Sequence, residues 1–309
     1  MTPNLSQYDV VLAEHGVLMR RVALAAVLIA TFLAVLKTVA FILTDSMAMM
    51  ASLADSALDI FASFVNLLAI RHALTPADHE HRFGHGKAEP LAGLAQGAFI
   101  AGSALFLVTE SVHRLIVPRE VSHGTLGVTI MAISIVITIA LVVAQKIVVR
   151  RTGSIAISAD RMHYVSDILV NIGVVVGIVL ATSFGWLVAD PIMGMLIAIV
   201  IAWTAWTVFR QSYDQLMDRE LPDTDRDRIK AIVMTHPGVF DMHDLRTRTS
   251  GRRSFIQVHI ELDPALSLYR AHSISDEVEA AIRAEFPQAE IIIHQDPEGY
   301  EQPEALAKS

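Results

Sequence analysis

The chain has 309 residues, of which 53% are hydrophobic and only 18% are charged, and its mean hydropathy is +0.48. This composition excludes an ordinary soluble domain, and a net charge of −8 without a dense basic tract gives no indication of nucleic-acid binding. Because the chain has no cysteine, disulfides and thiolate metal sites are excluded, and any metal must be bound by nitrogen and oxygen. The last third of the chain holds most of the charge. We therefore expect a transmembrane domain over 1–214, a cytoplasmic domain over 215–297 and a disordered tail over 298–309.

Six segments are long enough to cross a bilayer, which requires about 20 mostly apolar residues in a helix. The second and fifth segments are the least hydrophobic, because each carries a pair of polar side chains. The prediction of six helices therefore depends partly on length and spacing as well as on hydropathy. The predicted spans are residues 17–43, 47–72, 89–117, 124–149, 156–184 and 187–213.

Basic residues are distributed unevenly between the two sides of this predicted bundle. One side has Arg114 and Arg119 as its main basic residues. The other side has more, namely Arg20, Arg21, Arg71, Arg82, Lys87, Lys146, Arg150 and Arg151. Because cytoplasmic loops carry an excess of Lys and Arg, both termini are predicted to face the cytoplasm.

The second and fifth spans carry ionisable pairs, Asp55 with Asp59 and His163 with Asp167. A spacing of four residues places both members of each pair on one helix face. Charged groups within a membrane are costly and usually line a cavity or an ion path. Three carboxylates and one imidazole suit zinc, and also suit ferrous iron, cadmium or manganese. The alternative is a set of structural polar residues that bond between helices; two matched pairs favour an ion site.

The loop between the second and third spans is rich in metal-ligating residue types. Asp78, His81 and His85 are spaced by three and four residues, so that they can bind one cation. A solvated loop without a metal is an equally good interpretation of the spacing alone. Glu80 precedes His81 instead of following it, so the zinc-hydrolase motif His-Glu-x-x-His is absent.

The C-terminal part has the pattern of a small α+β domain. Alternating apolar residues predict strands, and Pro222 and Pro237 bound the first helix. The order α-β-β-α-β suggests an open sandwich with both helices on one face of the sheet. The predicted elements are a helix over 223–236, strands over 242–249 and 254–263, a helix over 270–286 and a strand over 290–294.

Ligand-type residues are scattered through this domain, and such histidines are often ordinary surface residues. The last strand, however, delivers a histidine and an aspartate together at its end, which favours a metal site. The candidates are His243, Asp244, His259, His272, His294 and Asp296.

Five short motifs together resemble one known family over residues 8–297. The motifs are Leu-Ala-Asp55-Ser-Ala-Leu-Asp59, Phe-Gly-His85-Gly-Lys-Ala-Glu-Pro, His163-Tyr-Val-Ser-Asp167, His243-Asp-Leu-Arg-Thr-Arg and Ile-Ile-His294-Gln-Asp296-Pro. On these residues the chain resembles the cation diffusion facilitators, and within them the bacterial ferrous-iron/zinc efflux transporters. The resemblance implies a homodimer in the bacterial inner membrane, made of a six-helix all-α bundle and a cytoplasmic domain of metallochaperone-like, ferredoxin-like fold.

The resemblance also implies the roles of the candidate residues. It implies a transport site at Asp55, Asp59, His163 and Asp167, and a second metal site at Asp78, His81 and His85. It implies a binuclear site at the cytoplasmic dimer interface, formed by His243, His259, His272, His294 and Asp296, with Asp244 as a further candidate. Finally, it implies a salt bridge between Lys87 and Asp218 that links the two domains.

The hypothesis from the sequence is proton-coupled efflux of Zn²⁺, with Fe²⁺ or Cd²⁺ as further cargo and with zinc bound in the cytoplasmic domain. Metal and protons compete for the same carboxylate and imidazole atoms, and histidine ordinarily titrates near pH 6.5. Two alternatives stay open at this point. One is a membrane metal sensor that does not transport metal. The other is a membrane metallohydrolase, although no general base is evident beside the four residues of the implied transport site.

Overall fold

The computed structural model describes residues 7–44, 47–116, 125–184 and 189–299. These residues form two compact units, a helical unit over Asp9–Leu216 and a C-terminal unit that begins at Met217. The predicted tail beyond residue 299, Arg119 and the ends of three predicted spans lie outside the described residues.

The helical unit contains six long helices in its described part, as the sequence predicts. Their bounds are α1 Gln7–Thr44, α2 Met47–Ala73, α3 Ala88–Ile116, α4 Thr125–Thr152, α5 Ile155–Phe184 and α6 Ala189–Leu216. Four of them, α1, α3, α4 and α6, are long and apolar enough to cross a membrane by length and composition. The helices α2 and α5 are not among these four, in keeping with the polar pairs that both carry.

Small residues allow α3 and α6 to approach each other closely. A Cβ atom added at Gly93 would lie 2.2 Å from Ser212 Oγ, and one added at Gly97 would lie 3.5 Å from the backbone nitrogen of Phe209. Because apolar surface gains little from leaving lipid, close packing of small residues is a principal source of helix association in membranes. The pair α3–α6 therefore forms a tightly packed part of the bundle.

The C-terminal unit has the predicted order of elements. The bounds are α7 Asp223–Met234, β1 Asp241–Ser250, β2 Arg253–Leu262, α8 Leu268–Glu285 and β3 Ala289–Pro297. The strand order is β1-β2-β3, with β1 and β2 antiparallel and β2 and β3 parallel. One apolar core joins both helices to one sheet face, and it includes Ile229, Ile256, Ile260, Val278 and Ile282. The fold class predicted from the sequence is thus confirmed.

Two boundaries differ from the prediction for identifiable reasons. The helix α7 ends at Met234 rather than at residue 236, because the ring of Pro237 disfavours helical geometry at the residue before it. The strand β3 extends to Pro297 rather than to residue 294, because its last residues continue the parallel ladder with β2. This extension carries Asp296 into the sheet, opposite Glu261.

The strand β1 contains an irregularity that matters for the candidate site. The register of β1 against β2 shifts between His243 and Arg246, and Asp244 has a positive φ of 46°. Because of this bulge, both Met242 and Leu245 pack against the core although they are an odd number of residues apart. The bulge leaves His243 on the opposite face of the sheet, in register with His259.

Candidate metal sites

Three predicted ligands of the membrane-spanning part lie close together between α2 and α5. The ligand atoms of Asp59, His163 and Asp167 all lie within 4.8 Å of one another. His163 Nε2 lies 3.1 Å from Asp59 Oδ1 and 3.8 Å from Asp167 Oδ2. The helical spacing explains this arrangement, because His163 and Asp167 share one face of α5 and turn it toward α2. Two carboxylates and an imidazole within this distance suit a divalent metal.

Asp55, the fourth predicted ligand, lies one turn before Asp59 on α2 and is exposed. It does not belong to the set of three whose ligand atoms lie within 4.8 Å. Among the buried atoms of the described side chains, His163 Nδ1 and Asp167 Oδ2 make no hydrogen bond. Buried polar atoms in native proteins are normally paired, and unpaired ones often mark a place for water or an ion. The chemistry of the three close residues therefore fits a divalent cation.

The loop between α2 and α3 brings its three predicted ligands together. Asp78 Oδ1 accepts hydrogen bonds from the backbone N–H groups of Glu80, at 2.9 Å, and His81, at 2.6 Å. The other carboxylate oxygen lies 3.4 Å from His85 Nε2. The backbone N–H of His81 is the main cause that lowers the pKa of Asp78, followed by the N–H of Glu80, so the carboxylate form is favoured. Gly84 has a φ of 80°, which permits the turn between the two histidines.

His85 is oriented by a second contact in this loop. Its Nδ1 lies 3.4 Å from the carbonyl oxygen of Thr75. A carbonyl only accepts, so a hydrogen bond here uses the N–H of Nδ1, and Nε2 is the ring atom that faces Asp78 and could bind a metal. The ring of His72 lies with its centroid 4.5 Å from that of His85. The geometry thus suits a cation bound by one carboxylate and two imidazoles, with His72 as a neighbour that the motif alone did not indicate.

The three-stranded sheet aligns three histidines on the face opposite its core. His243 is the direct register partner of His259 in β1 and β2, and His259 is the partner of His294 in β3. Ring centroids are 5.2 Å apart for the first pair and 4.5 Å apart for the second. A row of this kind arises because directly opposite residues in neighbouring strands point to the same face.

Asp296 is the acidic centre of this row. Its Oδ2 lies 2.8 Å from His259 Nδ1 and 3.3 Å from His243 Nε2, and its Oδ1 lies 3.4 Å from His294 Nε2. Only 5% of the Asp296 side chain is exposed. The ligand atoms of His243, His259 and Asp296 lie within 4.8 Å of one another. Imidazole and carboxylate ligands at this spacing fit zinc.

Two other predicted ligands of this domain take different positions. Asp244, at the bulge, pairs with Arg246 at 2.9 Å and lies 3.9 Å from His259 Nε2. His272 is 70% exposed on α8, and its Nε2 lies 3.7 Å from Asp276 Oδ2. Within one protomer His272 therefore does not belong to the close set around Asp296, and its role as a ligand stays a prediction.

The predicted salt bridge between Lys87 and Asp218 also stays a prediction. In the helical unit, Lys87 Nζ donates a hydrogen bond to the carbonyl oxygen of Leu216 at 3.4 Å. In the C-terminal unit, Asp218 Oδ1 lies 3.4 Å from Arg248 Nη1.

Two residues near these sites were not singled out from the sequence. Glu261 Oε1 lies 3.4 Å from His243 Nδ1, and its position two residues after His259 in a strand was the signal that it shares the polar face. Asp160 is fully buried three residues before His163 on α5. A third ionisable residue at helical spacing from His163 and Asp167 was the corresponding signal in the fifth span.

The long apolar helices and the groups of metal-ligating residue types together indicate a membrane protein that binds metal cations. Comparison with known proteins agrees: the family described as "Cation efflux transmembrane domain" matches residues 23–217, and "Cation efflux protein, cytoplasmic domain" matches residues 221–298. The chain belongs to the cation efflux family, which confirms the resemblance found in its motifs.

Similar proteins cover nearly the whole chain. A protein named "Cation-efflux pump FieF" from Shewanella oneidensis is 47% identical over 273 residues, which are 88% of this chain and 92% of that protein. A protein with the same name from Citrobacter koseri is 45% identical over 283 residues, covering 92% of this chain and 94% of that protein. A solved zinc form of CzrB covers 28% of this chain and 99% of its own, with 33% identity and a TM-score of 0.26.

Proposed function

We propose that this protein exports divalent metal cations from the cytoplasm in exchange for protons, with Zn²⁺ as cargo and Fe²⁺ and Cd²⁺ as further cargo. The observation that carries this proposal is the set of Asp59, His163 and Asp167, which puts three metal ligands between two helices of a membrane domain. Relatives that are 45% and 47% identical are named efflux pumps, so the protein is a transporter and not an enzyme. This finding removes the metallohydrolase alternative.

The chemistry of the ligands supports coupling to protons. Carboxylates and imidazole bind a metal through the atoms that also bind protons, so that metal binding releases protons and acidification releases metal. In the proposed cycle the site takes metal from the cytoplasm, opens to the other side, and exchanges the ion there for protons. Alternating access of this kind, around a site near the middle of the membrane, is the usual behaviour of secondary transporters. We assign Asp55 to the same site as the ligand that joins in another state of the cycle.

The other two ligand sets are proposed as accessory sites. Asp78, His81 and His85 would bind a metal on the loop. In the cytoplasmic domain, the set around Asp296 would bind zinc through imidazole nitrogen and carboxylate oxygen, and this zinc would stabilise the sheet. We further propose a homodimer in the bacterial inner membrane with both termini in the cytoplasm, and an interdomain salt bridge between Lys87 and Asp218.

Zinc flux into vesicles that contain the purified protein tests the assignment of the transport site. We expect Asp59→Asn, which keeps the size of the side chain and removes its charge, to abolish zinc flux. Glu110→Gln is the matched control, because it removes a carboxylate from α3 that pairs with Arg114 at 2.9 Å on the same helix. If Asp59→Asn carried zinc as fast as the parent, the assigned site would be wrong. Metal binding by the parent without any flux would instead support the metal sensor.

Proton coupling is tested in the same vesicles with a luminal pH dye. When zinc enters the lumen, protons should leave it, so that the lumen becomes more alkaline, and an acidic lumen should accelerate zinc entry. The exchange would be refuted if the rate of zinc entry did not depend on the pH gradient and if zinc entry left the luminal pH unchanged. Export of metal would still be supported.

A further inference from the structure

A second buried polar cluster lies next to the proposed transport site, centred on Asp160 of α5. This residue is only 1% exposed. Its Oδ1 accepts hydrogen bonds from Gln96 Nε2, at 3.1 Å, and from Ser63 Oγ, at 3.5 Å. Its Oδ2 accepts one from Gln145 Nε2, at 2.7 Å. All three donors are themselves buried, so both oxygens of this carboxyl group are bound inside the bundle.

The cluster ties α5 to three other helices. Ser63 belongs to α2, Gln96 to α3 and Gln145 to α4. Two more hydrogen bonds reinforce it, because Ser63 Oγ lies 2.7 Å from the hydroxyl of Tyr164, and Gln96 Nε2 also donates to the carbonyl oxygen of Ala62 at 3.2 Å. Asp160 is thus the point at which four helices are joined by polar contacts.

This cluster lies one helical turn away from the proposed ligands on both α2 and α5. Ser63 comes four residues after Asp59 on α2, and Asp160 comes three residues before His163 on α5. The contacts between Asp59 and His163 and between Ser63 and Asp160 are therefore successive links between the same two helices. They are about 5.4 Å apart along the helix axis, toward the end of the bundle predicted to face the cytoplasm.

We propose that Asp160 is a positioning residue for the transport site, which sets the rotation of α5 against α2 and thereby the distance between Asp59 and His163. This inference rests on the proposed function of that site. A rotation of α5 that separated Asp160 from Ser63 would also move His163, because Asp160 and His163 lie on one face of the same rigid helix. Groups that orient metal ligands typically change metal affinity or activity by 10- to 100-fold when they are removed.

The hydrogen bonds predict which substitutions preserve this function. Gln96 cannot reverse its amide group, because its Nε2 also donates to the carbonyl of Ala62, which only accepts. Gln145 can, because within the described part of the chain its Nε2 donates to Asp160 alone and its Oε1 makes no hydrogen bond. In Asp160→Asn, the new Oδ1 can accept from Gln96 while the new amide donates to the reversed Gln145. This variant therefore keeps the positions of the helices without the charge, whereas Asp160→Ala loses every contact.

The experiment measures zinc flux against zinc concentration in vesicles for both variants. We expect Asp160→Ala to raise the KM for zinc by about tenfold or more, and Asp160→Asn to stay close to the parent. Ser212→Ala is the control, since it removes a fully buried polar group, a hydroxyl on α6, that lies outside the Asp160 cluster. If Asp160→Ala does not fold, Gln145→Ala, which removes one of the three donors, should raise the KM by a smaller factor.

Three outcomes of this experiment would overturn the proposal. A lower melting temperature of Asp160→Ala with an unchanged KM would mean that the cluster only stabilises the fold, and so would an unchanged KM of Gln145→Ala. Equal damage in Asp160→Asn and Asp160→Ala would mean that the charge matters rather than the geometry. These results differ from failure of the proposed function, in which Asp59→Asn would also carry zinc.

Discussion

His163 Nε2 lies 3.1 Å from Asp59 Oδ1, although the two residues are 104 positions apart in the chain. The contact joins a proposed nitrogen ligand on α5 to a proposed oxygen ligand on α2, the two helices that carry the pairs of the predicted transport site. Because the close set takes Asp59 from α2 and His163 and Asp167 from α5, a relative movement of the two helices would separate the proposed ligands. This relationship makes the four predicted ligands unequal in the structure described here.

Asp55 should matter less for zinc than Asp59. Asp55 is exposed and lies outside the set of close ligands, whereas Asp59 contacts His163 directly. We expect Asp55→Asn to retain measurable zinc flux with a KM raised by about tenfold, which corresponds to about 1.4 kcal/mol, while Asp59→Asn shows no flux. Vesicle flux over a range of zinc concentrations measures both. A complete loss in Asp55→Asn would show that Asp55 is as essential to the site as Asp59.

The sequence predicted the helices and the residue faces better than it predicted partners. The spacing of His163 and Asp167 determines that they share a face, because this depends only on helix geometry. Which face meets Asp59 depends on packing between helices far apart in the chain, so the convergence of the two pairs was a hypothesis that rested on the cost of charge within a membrane and on the resemblance to a family. Asp160 lies at the same periodicity as the ligands, yet nothing local indicates that Gln96 and Gln145 converge on it.

The C-terminal domain shows the same division. Alternation of apolar residues predicted β2 and placed His259 away from the core. The bulge at Asp244 could not be predicted, because its effect on register appears only when β1 pairs with β2. The length of β3 likewise depends on its pairing with β2, from which it is separated in the chain by α8. The place of Asp296 in the sheet depends on the same pairing.

His259 and His272 should contribute differently to zinc binding by the cytoplasmic domain. His259 lies 2.8 Å from the buried carboxylate of Asp296, whereas His272 is exposed beside Asp276. We expect His259→Ala to weaken zinc binding at least about tenfold, and His272→Ala to leave at least one zinc ion per protomer. Zinc titration of full-length protein that also carries Asp59→Asn and Asp78→Asn isolates this domain's contribution. Equal losses in the two variants would place His272 in the same site as His259.

The close contact between α3 and α6 predicts the effect of adding one methyl group at Gly93. The new Cβ would meet Ser212 Oγ at 2.2 Å and Ile155 Cγ2 at 3.2 Å. Overpacking of this kind typically costs about 1–3 kcal/mol. We expect Gly93→Ala to lower the melting temperature of the protein in detergent, and Ser212→Ala to restore part of it by removing the hydroxyl.

Gly102 offers a matched control on the same helix. A Cβ atom there has no neighbour within 4 Å, and alanine favours a helix over glycine by up to about 1 kcal/mol. We therefore expect Gly102→Ala to be neutral or stabilising. A Gly93→Ala variant as stable as Gly102→Ala would show that α3 and α6 separate without cost.

Glu277 of α8 should stabilise the cytoplasmic domain in a pH-dependent way. Its carboxylate lies 3.0 Å from His236 Nε2 and 3.1 Å from Arg270 Nη1, and it accepts a hydrogen bond from Ser273 Oγ at 3.2 Å. The hydrogen bond from His236 is the main cause that lowers the pKa of Glu277, followed by those from Arg270 and Ser273. A carboxyl group whose pKa falls on folding stabilises the folded state above its unfolded pKa, and this contribution is lost as the pH falls through the folded pKa.

Glu277→Gln should therefore melt at a lower temperature than the parent at pH 7, with a small difference because the group is exposed. The difference should persist at pH 5 and shrink as the pH falls from about 4.3, the ordinary pKa of glutamate, through the lower pKa of the folded protein, because the parent carboxylate then becomes protonated and is neutral like glutamine. Thermal unfolding of both full-length proteins across this range measures it. Glu279→Gln, which removes a carboxylate that pairs with Arg283 on the same helix, is the control. A difference that grew toward acid pH would contradict the assigned direction of the pKa shift.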